Sequence, residues 1–414
     1  MASSKYYDAL ETRDPAERER ALLAALPAQI ANAQNNAPGF AKILAGVEAR
    51  AITSRAALAQ LPVTRKSDLK ERQSAAMPFG GLNATPPGKL ARIFISPGPI
   101  YDPEGRGEDY WRMARPLFAA GMRKGDVVQN CFSYHFTPAA SMMEGGLIKL
   151  GCAVIPAGTG QTEMQVAAIA SLRPSGYVGT PSFLKIIVEK ALETGADISS
   201  LDKALVGAEA LPASLRTWLG EQGIRTLQMY GTADLGNLAY ESEAMEGMIL
   251  DEDIILELVR PGTGEPVADG EVGEVVVTSL SPEYPLIRFG TGDLSALLPG
   301  PSPCGRTNLR IKGWMGRADQ TTKVRGLFVH PSQAAEVVRR HPDIVKARLV
   351  VDNPDGADRM TLQCEVGNWG VPGLVEAIAG SVRDVTKLRA EVVFVVPGEL
   401  PNDGKVIDDI RKYN

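Results

Sequence analysis

The sequence predicts an α/β fold: a large N-terminal domain of parallel sheets covered by helices, with a barrel-like antiparallel subdomain, then a small C-terminal α+β domain. Three observations predict it. From Gly107 to about Glu209, short apolar runs alternate with helix-like stretches, the pattern of a parallel sheet with helices on its faces. After Glu241 strands follow one another without helices, joined by Pro/Gly-rich turns such as "RPGTGEPVADGEVG". Past about Gly316 helices and strands mix again in a short closing stretch. With 414 residues, more than one ordinary core holds, the expected division is 1–318 and 319–414.

Taken in order, "DPAERERALLAALPAQIANAQ" has Asp14-Pro15 as a helix start and apolar residues at helical spacing, so it predicts an amphipathic helix. Helix-like "EDYWRMARPLFAAG" precedes strand-like "DVVQNCF", and "ASMMEGGLIKLG" precedes "CAVIP". "EMQVAAIASL" precedes "GYVGTP", and "SFLKIIVEKALETG" precedes "KALVGAEA". The strands "DIILELV", "GEVVVTSL" and "LIRFGTGDL" form the antiparallel part. The closing domain reads "TTKVRGLFV", a helix "PSQAAEVVRRH", strands "VKARLVV" and "MTLQCEV", a helix near "GLVEAIAGSVRDV", and "AEVVFVV".

A hydrophobic fraction of 44% against 22% charged residues fits a globular chain. The net charge of -5, without basic runs or basic-aromatic stripes, argues against nucleic acid or an anionic membrane as partner and for a small molecule. Cys131, Cys152, Cys304 and Cys364 lie far apart with no CxxC spacing, as expected of reduced thiols in a cytoplasmic protein. The opening "MASSKYYDALETRDPAERER" lacks the apolar core of a signal peptide, and no run reaches the roughly 18 apolar residues of a membrane helix.

Ligands of open parallel sheets bind at the carboxyl ends of the strands, which directs attention to four turns. These are "YHFTPAA" with His135, "GTGQTE" (Gly158 to Glu163), "GAEALP" (Gly207 to Pro212) and "MYGTADLG" (Met229 to Gly236) after "RTL". Each alone is ordinary turn chemistry. In order, and followed by "LIRFGTGD", "GWMGRADQTTKVRG" and "LPNDGK", they resemble the phenylacetate-CoA ligase family of the adenylate-forming superfamily over nearly the whole chain. "SPCGRT" and "GTGQTEMQ" point to that branch in particular.

The resemblance implies a two-step reaction. A carboxylate attacks the α-phosphate of ATP to give an acyl-adenylate and pyrophosphate, and the thiol of coenzyme A then displaces AMP. It implies ATP, Mg²⁺ and coenzyme A as cofactors, a small carboxylic acid as substrate and a homodimer as assembly. Negative charge grows on the phosphorus, so fixed cations are needed. Lys405 of "PNDGK" matches the catalytic lysine that bridges carboxylate and α-phosphate. Asp293 of "RFGTGD" matches the carboxylate that accepts both ribose hydroxyls, its two oxygens suiting a vicinal diol. Arg317 resembles the arginine contacting ribose or phosphates; a structural ion pair is the alternative for both.

By the same resemblance Glu209 and Ala210 form an edge against adenine, and Tyr230, with Gly231 and Thr232, stacks on the ring; a packed core tyrosine is the alternative. Asp319-Gln320 falls at the hinge about which the small domain rotates between adenylating and thioester-forming poses. Lys323, Arg325 and Gly326 then line the coenzyme A side. Tyr134, His135 and Phe136, with Phe132, Gly207 and Ala208, suit the wall of a pocket for a flat aryl acid; a packed turn with a surface histidine is the other reading.

Three departures stand out. The family's phosphate loop is rich in Ser, Thr and Gly and ends near a lysine. Here "SPGPIYDPEG" keeps Ser96 and Gly98, but Pro97, Pro99 and Pro103 have no N–H to donate, and Asp102 and Glu104 are expected to repel phosphate. Ala233-Asp234 stands where the family presents Glu for Mg²⁺, leaving an oxygen ligand on a shorter arm. Relatives hold a structural zinc near "CPCG" and after the "YG" turn. Here those places read Ser302, Cys304, Ser242 and Gly247 to Leu250, and one thiolate cannot close a tetrahedral site, so no zinc is expected.

Overall fold

Asp14 opens the first long helix, Pro15–Asn36, by accepting the amides of Ala16 and Glu17, with Pro15 in the first turn where no amide is needed. Leu22, Leu26, Ile30 and Ala33 recur at helical spacing and bury against Ile255, Leu258, Leu286 and Phe289. The computed structural model describes residues 5–260, 263–315, 317–318, 320, 322–325, 327–329, 331–354, 358–367, 372–401 and 405–412. It divides into two compact units, Met1–Met315 and Gly316–Asn414.

In the first unit the strands Ala153–Ile155, Val127–Asn130, Gly176–Gly179, Lys203–Val206 and Arg225–Thr232 lie side by side, all parallel. Successive side chains of a strand point to opposite faces. Val178 and Leu205 therefore join Leu117 and Leu147 of the helices Ala114–Ala119 and Ala139–Leu150. Tyr177, Ala204 and Val206 join Ile169, Ile187 and Leu219 from the helices Thr162–Leu172, Pro181–Thr194 and Ala213–Glu221. Both faces are covered, which is why these strands read as continuous apolar runs.

Beyond its parallel strands the sheet continues antiparallel. Strand Arg225–Thr232 runs through "MYGT", turns on Ala233–Leu235 and returns as Gly236–Tyr240. A connection that short cannot make the crossover that parallel strands require. Met248–Leu250, Arg310–Ile311 and Leu297–Leu298 continue antiparallel, giving nine strands. The helix expected over "EDYWRMARPLFAAG" spans only Ala114–Ala119, because the Asp109 carboxylate takes the amides of Met113 and Ala114 and holds the preceding residues in turns.

The antiparallel strands Ile254–Val259, Gly273–Ser279 and Phe289–Ser295 gain a fourth from far upstream, Thr64–Arg65, parallel to the last. Arg288 secures that junction from within. Its guanidinium donates to the carbonyls of Ala59, Leu61 and Gly264 and pairs with Glu257 at 3.0 Å. The second unit has its own core, Val337, Leu349, Val351, Met360, Ile378 and Val382 among others. It combines the sheet Glu391–Val395, Arg359–Val366, Ile344–Asp352 and Ile407–Asp409 with the helices Pro331–Arg340 and Leu374–Thr386 and the hairpin Thr322–Val324/Leu327–Val329.

Candidate functional site

Tyr230 and Asp293 come from different sheets and meet. The Tyr230 hydroxyl donates to Asp293 Oδ2 at 2.8 Å, and the Trp314 indole N–H donates to Oδ1 at 3.1 Å. The Asp293 amide donates to the Thr291 hydroxyl, fixing the carboxylate's backbone. Both Tyr230 and Asp293 are buried. A carboxylate oxygen carries two lone pairs and can accept more than one donor. Trp314 carried no sequence signal of its own and enters through this contact.

Gly231 follows Tyr230 at a bulge in the pairing with Gly236–Tyr240, where an added Cβ would lie 2.5 Å from the Gly236 carbonyl oxygen. Glycine is needed there for the two backbones to approach. The Thr232 hydroxyl accepts the Leu235 amide and closes the turn. That turn carries Asp234, buried, with Oδ2 bonded to the Lys66 ammonium. Lys66 is the chief residue that the sequence reading missed. Burial of its ammonium lowers its pKa, but Asp234 and Asp102 outweigh that and hold it above its ordinary value.

The stretch "RIFISPGPIYDPE" is a β-hairpin, Arg92–Ser96 paired with Ile100–Glu104, with Pro97, Gly98 and Pro99 exposed at its tip. Ser96 is buried and its hydroxyl donates to the Ile100 carbonyl at 3.3 Å, so this polar group is used within the hairpin. The expectation that Asp102 and Glu104 face and repel phosphate needs correction. Alternation along the strand buries the Asp102 carboxyl completely, beside Asp234, Lys66 and Ser96. Burial first, then the Asp234 charge, push it up to about 8. Glu104 is paired with Arg92 at 2.8 Å.

The hairpin is stitched to the aromatic turn, since the Ile95 amide donates to the Phe136 carbonyl at 2.9 Å. There Phe132 is buried in the core, while Tyr134, His135 and Phe136 are exposed. His135 meets Phe136 edge-on at 4.6 Å, and Phe136 has a φ of 63°. The Tyr134 hydroxyl donates to Glu144 at 2.7 Å and accepts from Asn130, and burial together with Glu144 raises its pKa. On the neighbouring turn Gly207 is buried, its amide bonded to the Gly179 carbonyl, while Ala208, Glu209 and Ala210 are exposed.

Where the sequence reading expects no zinc, Cys304 sits in a network. Its sulfur is 3.1 Å from the Ser302 hydroxyl and 3.6 Å from the Arg306 guanidinium, and Arg306 pairs with the buried Glu11 at 3.1 Å. Burial raises the thiol's pKa, and hydrogen bonds from Ser242, Ser302 and Arg306 outweigh it, leaving it lowered. Met248–Leu250 is sheet strand.

In the second unit Lys405 is half exposed, with its ammonium 2.8 Å from Asp408. The Gln320 side-chain oxygen accepts the amides of Val406 and Ile407 at 2.6 and 3.1 Å, tying the start of this unit to the segment that follows Lys405. Arg317 is partly buried, and its carbonyl accepts the Gln320 amide. The Lys323 carbonyl accepts from Arg411, and the Arg325 guanidinium and amide donate to Asp358. Asp319 and Gly326 lie outside the described residues.

A family model described as AMP-binding enzyme matches residues 108–281. The chain is 30% identical to the phenylacetate-coenzyme A ligase of Thermus thermophilus, over 98% of this chain and all of that protein. It is 31% identical to the phenylacetate-coenzyme A ligase of Escherichia coli K12, over 99% of each. Among solved structures, 2-hydroxyisobutyryl-CoA ligase in complex with its adenylate and CoA superposes over all of this chain and 94% of that one, with a TM-score of 0.78 at 24% identity. With fold and relatives in agreement over its length, the chain belongs to the phenylacetate-coenzyme A ligase family of AMP-binding enzymes.

Proposed function

We propose that the protein is an ATP-dependent, AMP-forming ligase that activates a carboxylic acid through an acyl-adenylate and transfers it to coenzyme A. The observation that carries this reading is the end-to-end likeness to phenylacetate-coenzyme A ligases, joined to a buried Asp293–Tyr230 pair suited to a ribose diol. Asp293 takes the ribose, Tyr230 with Gly231 and Thr232 borders the nucleotide, Glu209 and Ala210 edge the adenine, and Asp234 binds Mg²⁺. Lys405 and Arg317 supply the cations over the α-phosphate when the unit beyond about residue 318 turns on Asp319-Gln320. Lys323, Arg325 and Gly326 border coenzyme A in the other pose. The acid is an aryl or arylacetic acid facing Tyr134, His135, Phe136, Gly207 and Ala208. The protein acts as a cytoplasmic homodimer without structural zinc.

No helix among the described residues is long and apolar enough to cross a membrane. Ser96 and Gly98 remain of the phosphate loop; with three prolines and a committed Ser96 hydroxyl, the hairpin offers the β- and γ-phosphates fewer donors than a Ser/Thr/Gly loop, which weakens the grip on ATP more than on the adenylate. That feature favours a second reading: a homologue that binds nucleotide or acyl-CoA without turnover. A third passes the adenylate to an acceptor other than CoA. AMP release from ATP, Mg²⁺ and coenzyme A is measured across benzoic, phenylacetic, hydroxycinnamic and short-chain acids, with Lys405→Ala alongside. Acid- and CoA-dependent release, lost in the variant, supports the ligase. AMP binding without turnover on any acid supports the second reading, and amine-dependent product without coenzyme A the third.

A further inference from the structure

Two donors of different kinds hold the carboxylate of Asp293. The Tyr230 hydroxyl reaches Oδ2 at 2.8 Å, but a hydroxyl proton rotates, and this oxygen also lies 3.4 Å from the Thr291 hydroxyl. The Trp314 indole N–H reaches Oδ1 at 3.1 Å, only donates, and points where its ring points. The terminal torsion of an aspartate is broad, so a carboxylate anchored through one oxygen by a hydroxyl can still swing about its Cβ–Cγ bond. A directional donor on the other oxygen fixes its plane.

Core packing does not account for where Trp314 stands. It is 47% exposed, while the acid that its N–H reaches is 8% exposed. Tryptophan is ordinarily highly buried, so an indole left half in water is placed by something else. The backbone supplies the placement. The amides of Lys312 and Met315 donate to the carbonyls of Ala296 and Leu294, each at 2.9 Å, and the Ser295 hydroxyl donates to the Gly313 carbonyl at 2.7 Å. Residues 312–315 therefore run back beside 294–296, the stretch that follows Asp293 in the chain. Gly313 has a φ of 96°, which glycine adopts without a Cβ penalty, and this lets the chain turn just before Trp314. Donor and acceptor are mounted on one frame.

We infer that Trp314 is a positioning residue for the nucleotide, its N–H locking the plane of the Asp293 carboxylate so that both oxygens meet the ribose hydroxyls already in place. This rests on the ribose reading of Asp293 and adds a residue that acts through that carboxylate alone. Ordering a free side chain on binding costs affinity, and a carboxylate held beforehand by supporting hydrogen bonds avoids that cost. A half-exposed ring adds little to the core, so its replacement shows in ribose recognition before it shows in stability.

Trp314→Phe keeps an aromatic ring and removes the N–H. Calorimetry compares AMP with 2′,3′-dideoxy-AMP, which lacks both hydroxyls, on the parent, Trp314→Phe, Asp293→Asn and the double variant, with urea unfolding of each. We expect Trp314→Phe to weaken AMP binding roughly three- to tenfold and to leave the dideoxynucleotide within about twofold of the parent. On the Asp293→Asn background the same replacement should change AMP binding by less than about twofold. The inference is overturned if Trp314→Phe binds AMP as the parent does or more tightly, or if it loses affinity for both nucleotides by the same factor, as a general defect of the fold would make it do. It is also overturned if the effect on AMP persists in full without the Asp293 carboxylate. A parent that binds both nucleotides alike, or neither, overturns the ribose reading itself and this inference with it. A parent that prefers AMP keeps the ribose reading whatever Trp314→Phe does.

Discussion

Replacing Asp293 by Asn tests the ribose assignment at a single atom pair. The carboxylate accepts Tyr230 O–H at 2.8 Å and Trp314 N–H at 3.1 Å, and a bound diol adds one O–H donor to each oxygen. Asn offers one acceptor oxygen, and its NH₂ faces a donor wherever it is turned. One ribose bond therefore falls from charge-assisted to neutral and the other is lost. At about 1 kcal/mol for the first change and about 2 kcal/mol for the second, AMP binding weakens by about 3 kcal/mol, roughly a hundredfold in Kd. Calorimetry of AMP, 2′-deoxy-AMP and 3′-deoxy-AMP on parent and variant is the assay. The parent should lose affinity for each deoxynucleotide, while Asp293→Asn should scarcely distinguish one of them from AMP and should penalise the other less than the parent does. A variant that binds AMP within about threefold of the parent, or that penalises both deoxynucleotides as the parent does, refutes the diol contact. Urea unfolding of both proteins guards against a change in fold.

Lys405→Ala should abolish acid-dependent AMP release while leaving the Kd for AMP nearly unchanged, measured by steady-state kinetics and calorimetry. Arg288→Met strips the charge partner from buried Glu257 and the donors from three carbonyls, and should cost about 3–5 kcal/mol in urea unfolding; the added change Glu257→Gln should recover part of it. Gly146→Ala puts a Cβ 2.6 Å from Met113 Cβ and 2.7 Å from the Ala114 amide nitrogen, and overpacking of that kind should lower stability by about 1–3 kcal/mol. Metal analysis of the purified protein should find far less than one zinc per chain; one tightly held zinc would refute the reading of Ser302, Cys304 and Ser242.

Local chemistry explains what the sequence disclosed. The Asp14-Pro15 start, the alternation of apolar runs with helices and the "RFGTGD" aspartate are each set by residues within one element, so periodicity and motif reach them. The Lys66–Asp234 contact joins residues 168 positions apart, and Asp102 enters from a third segment. No spacing in the chain marks such a meeting. The same holds for strand Thr64–Arg65, too short to show a period and placed only by its pairing with Phe289 and Gly290. The acids of "IYDPE" read as a charged loop because the eye counts them together, whereas positions 102 and 104 share one face of a strand and are both buried, Asp102 beside Lys66 and Asp234 and Glu104 against Arg92.

The hydrogen bond from the Ile95 amide to the Phe136 carbonyl bears on how the enzyme's acid scope can be redesigned. If the aromatic turn lines the acid pocket and the hairpin borders the nucleotide, as proposed, libraries that vary the turn also press on the hairpin, and hence on nucleotide affinity. Phe136 holds a left-handed backbone, so β-branched replacements carry strain into that bond, while Gly and Asn do not. A screen run at low ATP would discard variants with a useful new pocket because their nucleotide binding has slackened. Saturating ATP in the first round, restricted afterwards, separates the two effects.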